Sequence, residues 1–189
     1  SLWMCYGNKH DTAFKVEAMQ ERFEHLTEWL IYGKQDFNFI SEALLPELFG
    51  GAEDGKIRVG QMQYEAIIVP WCLTLRKSTV DILNRYVEAG GKLIFTGEIP
   101  HYVDAVPSDT VKDLVPSAVV IPHDEYSIMQ QLEDLRMVEI RHENGTLDRT
   151  HIYQLREDSN DKWLFIAQGK KTSCVDVIHP ESVIIRIRG

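Results

Sequence analysis

Cysteine is scarce in this chain. Cys5, Cys72 and Cys174 are the only three among 189 residues. They are odd in number, far apart and without a CxxC spacing. That excludes a disulfide scaffold or a zinc knuckle and leaves isolated thiols, as in a reducing compartment. Basic residues are outnumbered: 20 Lys and Arg against 29 Asp and Glu give a net charge of −9. No basic cluster with interleaved aromatics occurs, so nucleic acid is not an expected partner. No apolar run reaches the ~18 residues of a membrane helix, so no membrane partner is expected. Ser1 to Tyr6 has neither the charged start nor the apolar core of a secretory leader, and the expected location is the cytoplasm.

What is present is ordinary for a soluble globular protein, with 44% hydrophobic and 26% charged residues. The length suits one α/β domain with a small appendage. The clearest signal runs from Tyr64 to Gly97. An apolar run ending at Val69 and Pro70, an amphipathic helix, and a second apolar run after Gly90 and Gly91 make a βαβ unit, which implies a parallel sheet.

Leu2 to Tyr6 reads as a first strand, and residues 12–32 as a helix with Val16, Met19, Phe23, Leu26 and Leu30 on one face and Gly33 as its terminator. Phe37 to Ile40 reads as a short strand. Leu44 to Gly55 reads as a loop broken by Pro46, Gly50, Gly51 and Gly55. Lys56 to Val59 and Ala66 to Val69 are strands. Ser78 with Asp81 resembles a capping box opening a helix that buries Val80, Leu83 and Val87. Lys92 to Thr96 is the next strand. Residues 98–107 read as a loop and Asp109 to Leu114 as a short helix. Ala118 to Ile121 reads as a buried strand, and Asp124 caps a helix carrying Ile128, Leu132 and Leu135. From Met137 the pattern becomes β only. A tight turn falls at Glu143 to Gly145, and strands at His151 to Leu155, Trp163 to Ala167 and Ser182 to Ile187. The expected domains are residues 1–136, α/β, and 137–189, a β-rich appendage that resembles the start of a β-sandwich.

In open parallel sheets, chemistry sits at the carboxyl ends of the strands. Cys72 follows one such end and is a candidate nucleophile, but it lacks the small flanking residues of a nucleophile elbow; packed thiol is the plainer reading. Glu98 and His101 follow the other end, as a general base and acid or as two metal ligands, with Asp104 nearby. Pro100 rules out a helix that would place them on one face, so a polar loop is the plainer reading. His123, Asp124 and Glu125 form a third group, explained by helix capping with His123 exposed. His10, His25, His142, His151 and His179 show no HxH or HExxH spacing, so no metal site is read. The glycine pairs form no nucleotide-binding pattern, and no cofactor is expected. Trp71, Tyr102 and Trp163 lie near strand or loop ends, where a ring can stack on a sugar or pack in a core or interface.

The run Gln35 to Glu42, Gly60 through Pro70, Thr79 to Leu83, and Gly90 to Gly97 with Pro100 resembles the glutamine-amidotransferase-like domain that follows the catalytic barrel in family 42 β-galactosidases and occurs in related bacterial glycoside hydrolases. His151 to Arg156 and Lys162 to Ile166 resemble the β-sandwich that comes next there. The resemblance covers roughly residues 12–188. It implies a flavodoxin-like or class I amidotransferase-like sheet with helices on both faces. It also implies a part in oligomerisation, often trimerisation, rather than catalysis. Class I amidotransferases carry a Gly-x-Cys-x-Gly elbow after the strand matching Leu93 to Thr96; here Gly97 and Glu98 follow, without Cys, which argues against glutaminase activity. The expectation is a non-catalytic scaffold whose partners are copies of itself or the parent's catalytic barrel. The alternatives are a small hydrolase using Glu98, His101 and Cys72, and a carbohydrate-binding module using Trp71 and Tyr102.

Overall fold

The computed structural model describes residues 9–169 and 182–188. The expected strand at Leu2 to Tyr6, and Cys5, Cys174 and His179, lie outside these residues. The described chain is mixed α/β. It divides into two compact units: residues 9–26 with 38–128, and residues 27–37 with 129–169 and 182–188.

Helix α1 (Lys9–Tyr32) contributes to both units. The first unit continues with α2 (Leu45–Leu48) and an antiparallel sheet of β1 (Phe49–Glu53), β2 (Lys56–Val59) and β3 (Met62–Tyr64). Phe37 to Ile40 is not a strand, because no ladder pairs it; Phe39 and Ile40 are exposed. The segment from Leu44 is not the expected loop either. Gly50 and Gly51 sit inside β1, where the register slips between Phe49 and Gly51, so these glycines form a bulge rather than a break. Asp54 and Gly55, both at positive φ, make the two-residue turn into β2.

β4 (Ala66–Val69), α3 (Lys77–Glu88) and β6 (Lys92–Thr96) realise the expected βαβ unit, with β9 (Val119–Ile121) as third parallel strand in the order β4-β6-β9. β5 (Thr74–Leu75) pairs with β7 (Tyr102–Val103), which turns through Asp104 and Ala105 into β8 (Val106–Pro107). Residues 98–107 thus hold a hairpin where a loop was expected. A 3₁₀ helix covers Thr110–Ser117 and precedes β9, which is an edge strand rather than a buried one: Val120 is 44% exposed.

α3 shows why these elements form. Val80, Ile82, Leu83 and Tyr86 are buried against β1, β6 and the 3₁₀ helix. Its N-cap is Arg76, not Ser78, and no local side chain caps it. Instead Asp104 accepts the Lys77 amide and Glu42 the Arg76 amide. Asp81 pairs with Lys77. The helix ends in a Schellman motif: Gly90 has φ +81°, and the Gly91 amide donates to Tyr86 O at 2.9 Å. α4 (Glu125–Leu132) is capped as expected, Asp124 accepting the Ser127 amide at 2.9 Å.

In the second unit β10 (Val138–His142) pairs antiparallel with β13 (Val183–Ile187), and β11 (His151–Glu157) with β12 (Lys162–Gln168). Val138 and Ile140 are fully buried, but Ile184, Ile185 and Ile187 are all exposed, so β13 presents no buried face. The turn closing at Gly145 exists, but it leads to a single bridge, Arg141 to Leu147, rather than a hairpin.

Candidate functional site at the strand ends

The register of β4, β6 and β9 aligns their carboxyl ends. Val69 lies beside Phe95, and Thr96 beside Ile121. The residues that follow each strand therefore share one edge. Gly97 turns there with φ +82°, a conformation that favours glycine, and its amide donates to Ile121 O at 2.8 Å. Beside this turn lies an open cleft of about 470 Å³, lined by Arg22, Gly97, Glu98, Val120, Ile121, Pro122 and His123.

His123 is half-buried, not exposed as its neighbour Pro122 had implied. Its Nε2 lies 3.0 Å from Arg22 O, and its Nδ1 lies 2.9 Å from Thr96 Oγ1. A carbonyl only accepts, so Nε2 carries the proton, and neutral Nδ1 accepts from the buried Thr96 hydroxyl. Burial lowers the pKa of His123 and favours this neutral form. Both nitrogens thus serve to tie α1 to the strand ends, and sequence reading missed the role because the partners are 27 and 101 residues away.

Arg22 lies over Trp71, with its guanidinium carbon 4.4 Å from the ring centroid. Its Nη1 lies 3.8 Å from the position a Cβ on Gly97 would take. Trp71 is half-buried, and this contact, rather than a vacant stacking face, is what the structure shows for it.

The expected catalytic residues do not converge. Glu98 is exposed and borders the cleft, whereas His101 is exposed and does not line it. Tyr102 belongs to β7 and is also outside it. Asp104 is engaged with the start of α3. Burial, reinforced by the charge of Glu42, pushes the Cys72 thiol up to about 12, which leaves it protonated and weakly nucleophilic near neutrality. Among the described residues no group of three or more His, Cys, Asp or Glu is arranged to hold a metal ion. Nor is any described helix long and apolar enough to cross a membrane.

A second polar cluster, in the other unit, escaped sequence reading. Lys34 and Asp148 are fully buried, 3.6 Å apart. Lys34 Nζ also donates to two backbone carbonyls, Tyr32 O at 3.0 Å and Asp148 O at 2.7 Å. Asp148 accepts from the Thr150 hydroxyl at 2.8 Å and the His151 amide at 2.9 Å, with the His142 ring 3.4 Å away. Burial pushes the Asp148 carboxyl up, but the His151 amide, the Thr150 hydroxyl, the His151 ring and Lys34 outweigh it and hold it at about 2. Burial lowers Lys34 against the opposing pull of Asp148. The two carbonyl acceptors and the neighbouring carboxylate favour the ammonium form. This cluster is a folding nail: every polar atom named here is engaged within the unit.

The chain was also compared with known proteins. No family model, no curated protein and no solved structure matches it.

Proposed function

We propose that this chain is a non-catalytic assembly module, a flavodoxin- or amidotransferase-like domain of a larger bacterial glycoside hydrolase-like protein, acting through contacts with further copies or with the parent's catalytic barrel. The observation that carries the reading is the outer face of the β11–β12 hairpin. Register places Ile152 opposite Ala167, and Phe165 opposite Gln154, on the same face as Trp163. Ile152, Trp163 and Phe165 are 37, 45 and 59% exposed. An isolated two-stranded sheet is marginal in water and gains stability when an apolar face is covered. The dispersed catalytic candidates support the same reading: Cys72 is half-buried with its thiol pushed up to about 12, and His101 does not line the cleft that Glu98 borders.

Light scattering across a wide concentration range tests this. The expected outcome is a stable oligomer that Phe165→Asp converts to monomer without changing the circular-dichroism spectrum. A strict monomer that also fails to bind the parent's barrel would sink the proposal.

A further inference from the structure

Two opposite charges border the strand-end cleft without meeting. Arg22 and Glu98 both line it, yet no ion pair joins them, and neither has another charged partner among the described residues. The guanidinium is held in place from two sides. Trp71 lies beneath it, and His123 fixes the α1 backbone at Arg22 itself. Between the charges the wall is apolar: Val120, 44% exposed, with Ile121 and Pro122. The Gly97 position adds no side chain to fill the space next to Nη1. A volume of about 470 Å³ lies within the range of small-molecule sites.

We propose that this cleft binds a zwitterionic α-amino acid with an aliphatic side chain. The carboxylate pairs with Arg22, whose planar fork suits a carboxylate. The ammonium pairs with Glu98, and the side chain lies on Val120, Ile121 and Pro122. A simple anion fits less well. Glu98 would repel it, and so would a chain of net charge −9. A molecule of zero net charge, carrying both signs, meets neither objection. Because Arg22 is already held against Trp71, little ordering is needed on binding. The site belongs to one unit and does not depend on assembly.

Calorimetric titration of the full chain with L-leucine tests the proposal. Isocaproate, which lacks the ammonium, isoamylamine, which lacks the carboxylate, and inorganic phosphate serve as comparators. Leucine should bind, and isocaproate and isoamylamine should bind about tenfold or more weakly, since each leaves one charge of the site unpaired. Glu98→Gln alters an exposed side chain and keeps the fold, as a melting curve will confirm. It should weaken leucine about tenfold and leave isocaproate unchanged or tighter. Arg22→Gln should weaken both. The proposal is overturned if leucine gives no heat, if Glu98→Gln binds leucine as the wild type does, or if isocaproate or phosphate binds as tightly as leucine, which would make the cleft a bare anion site.

Discussion

Lys34 occupies a position where glycine is the usual choice. With φ +61° it ends α1 in the left-handed conformation, its amide donating to Ile31 O and the Gln35 amide to Leu30 O. A side chain there costs about 1 kcal/mol of backbone energy, and the two hydrogen bonds of its ammonium, with its ion pair to Asp148, offset that cost. Gly33, expected as the terminator, is glycine for another reason: a Cβ would overlap the Met129 sulfur and Trp29 O. Lys34→Met would leave Asp148 buried without its cation, and should cost about 3–5 kcal/mol in urea denaturation. The pH profile follows from the sign of the shift. The Asp148 carboxyl sits at about 2 in the fold, below its ordinary value of 3.8. Its contribution, of the order of 2 kcal/mol, is therefore present above about pH 4 and lost as pH falls towards 2. Asp148→Asn should flatten that acid limb. Cys72 gives an independent check at the same scale. In a Cys5→Ser/Cys174→Ser background, its alkylation by iodoacetamide at pH 8 should be at least about a hundredfold slower than that of a free thiol. Rapid labelling of the folded protein would refute the burial argument.

Two elements are tied together by a single ring: His123 connects α1, through Arg22 O, to the end of β6, through Thr96. His123→Ala would leave a buried hydroxyl unpaired and should cost about 1–3 kcal/mol. Because burial lowers the folded pKa of His123, the unfolded chain takes up the proton first. Its contribution is present above about pH 6.5 and is lost as pH falls through the lowered folded value; the variant should lose that part of the stability profile. The helix stop at α3 offers a paired test. Gly90→Ala meets open space but is strained at φ +81°, whereas the Cβ of Gly91→Ala would enter the buried Tyr86 ring. The first should cost about 1 kcal/mol, and the second about 1–3 kcal/mol, so urea midpoints should order wild type, Gly90→Ala, Gly91→Ala. These elements also show what was legible in the sequence. The β4–α3–β6 unit announced itself through apolar runs bounded by Pro70 and Gly90 with Gly91, because short-range patterning and long-range packing agree there. β1 did not, since Gly50 and Gly51 look like breakers when the bulge that uses them depends on β2. Local spacing points to Ser78 as the α3 cap, yet the acceptor is Asp104, brought by a hairpin with strands of two residues each. The parallel-sheet pattern points to the strand ends, and Glu98 borders a cleft there. Arg22 carried no local signal, and His123 stood out only beside its helix cap, because their pairing joins residues 101 positions apart.

At the scale of the whole molecule, two forces act on any assembly in opposite directions. A net charge of −9 makes copies repel one another. Apolar side chains such as Trp163 and Phe165 favour the removal of surface from water. Repulsion between exposed charges fades beyond the screening length of about 10 Å at 0.1 M salt, while apolar burial is left intact or strengthened by excluded salts. An assembly held by the hairpin face should therefore grow in population as sodium chloride rises from about 0.02 to about 0.5 M. One held by surface ion pairs should dissociate over the same range. Sedimentation velocity at matched protein concentration distinguishes the two, and Phe165→Asp should abolish the salt response by adding charge at the centre of the apolar face. Mass that falls with salt, or that rises equally in the variant, would place the contact elsewhere. The next surface to test would then be the exposed pair Phe23 and Phe39, whose rings lie 4.9 Å apart.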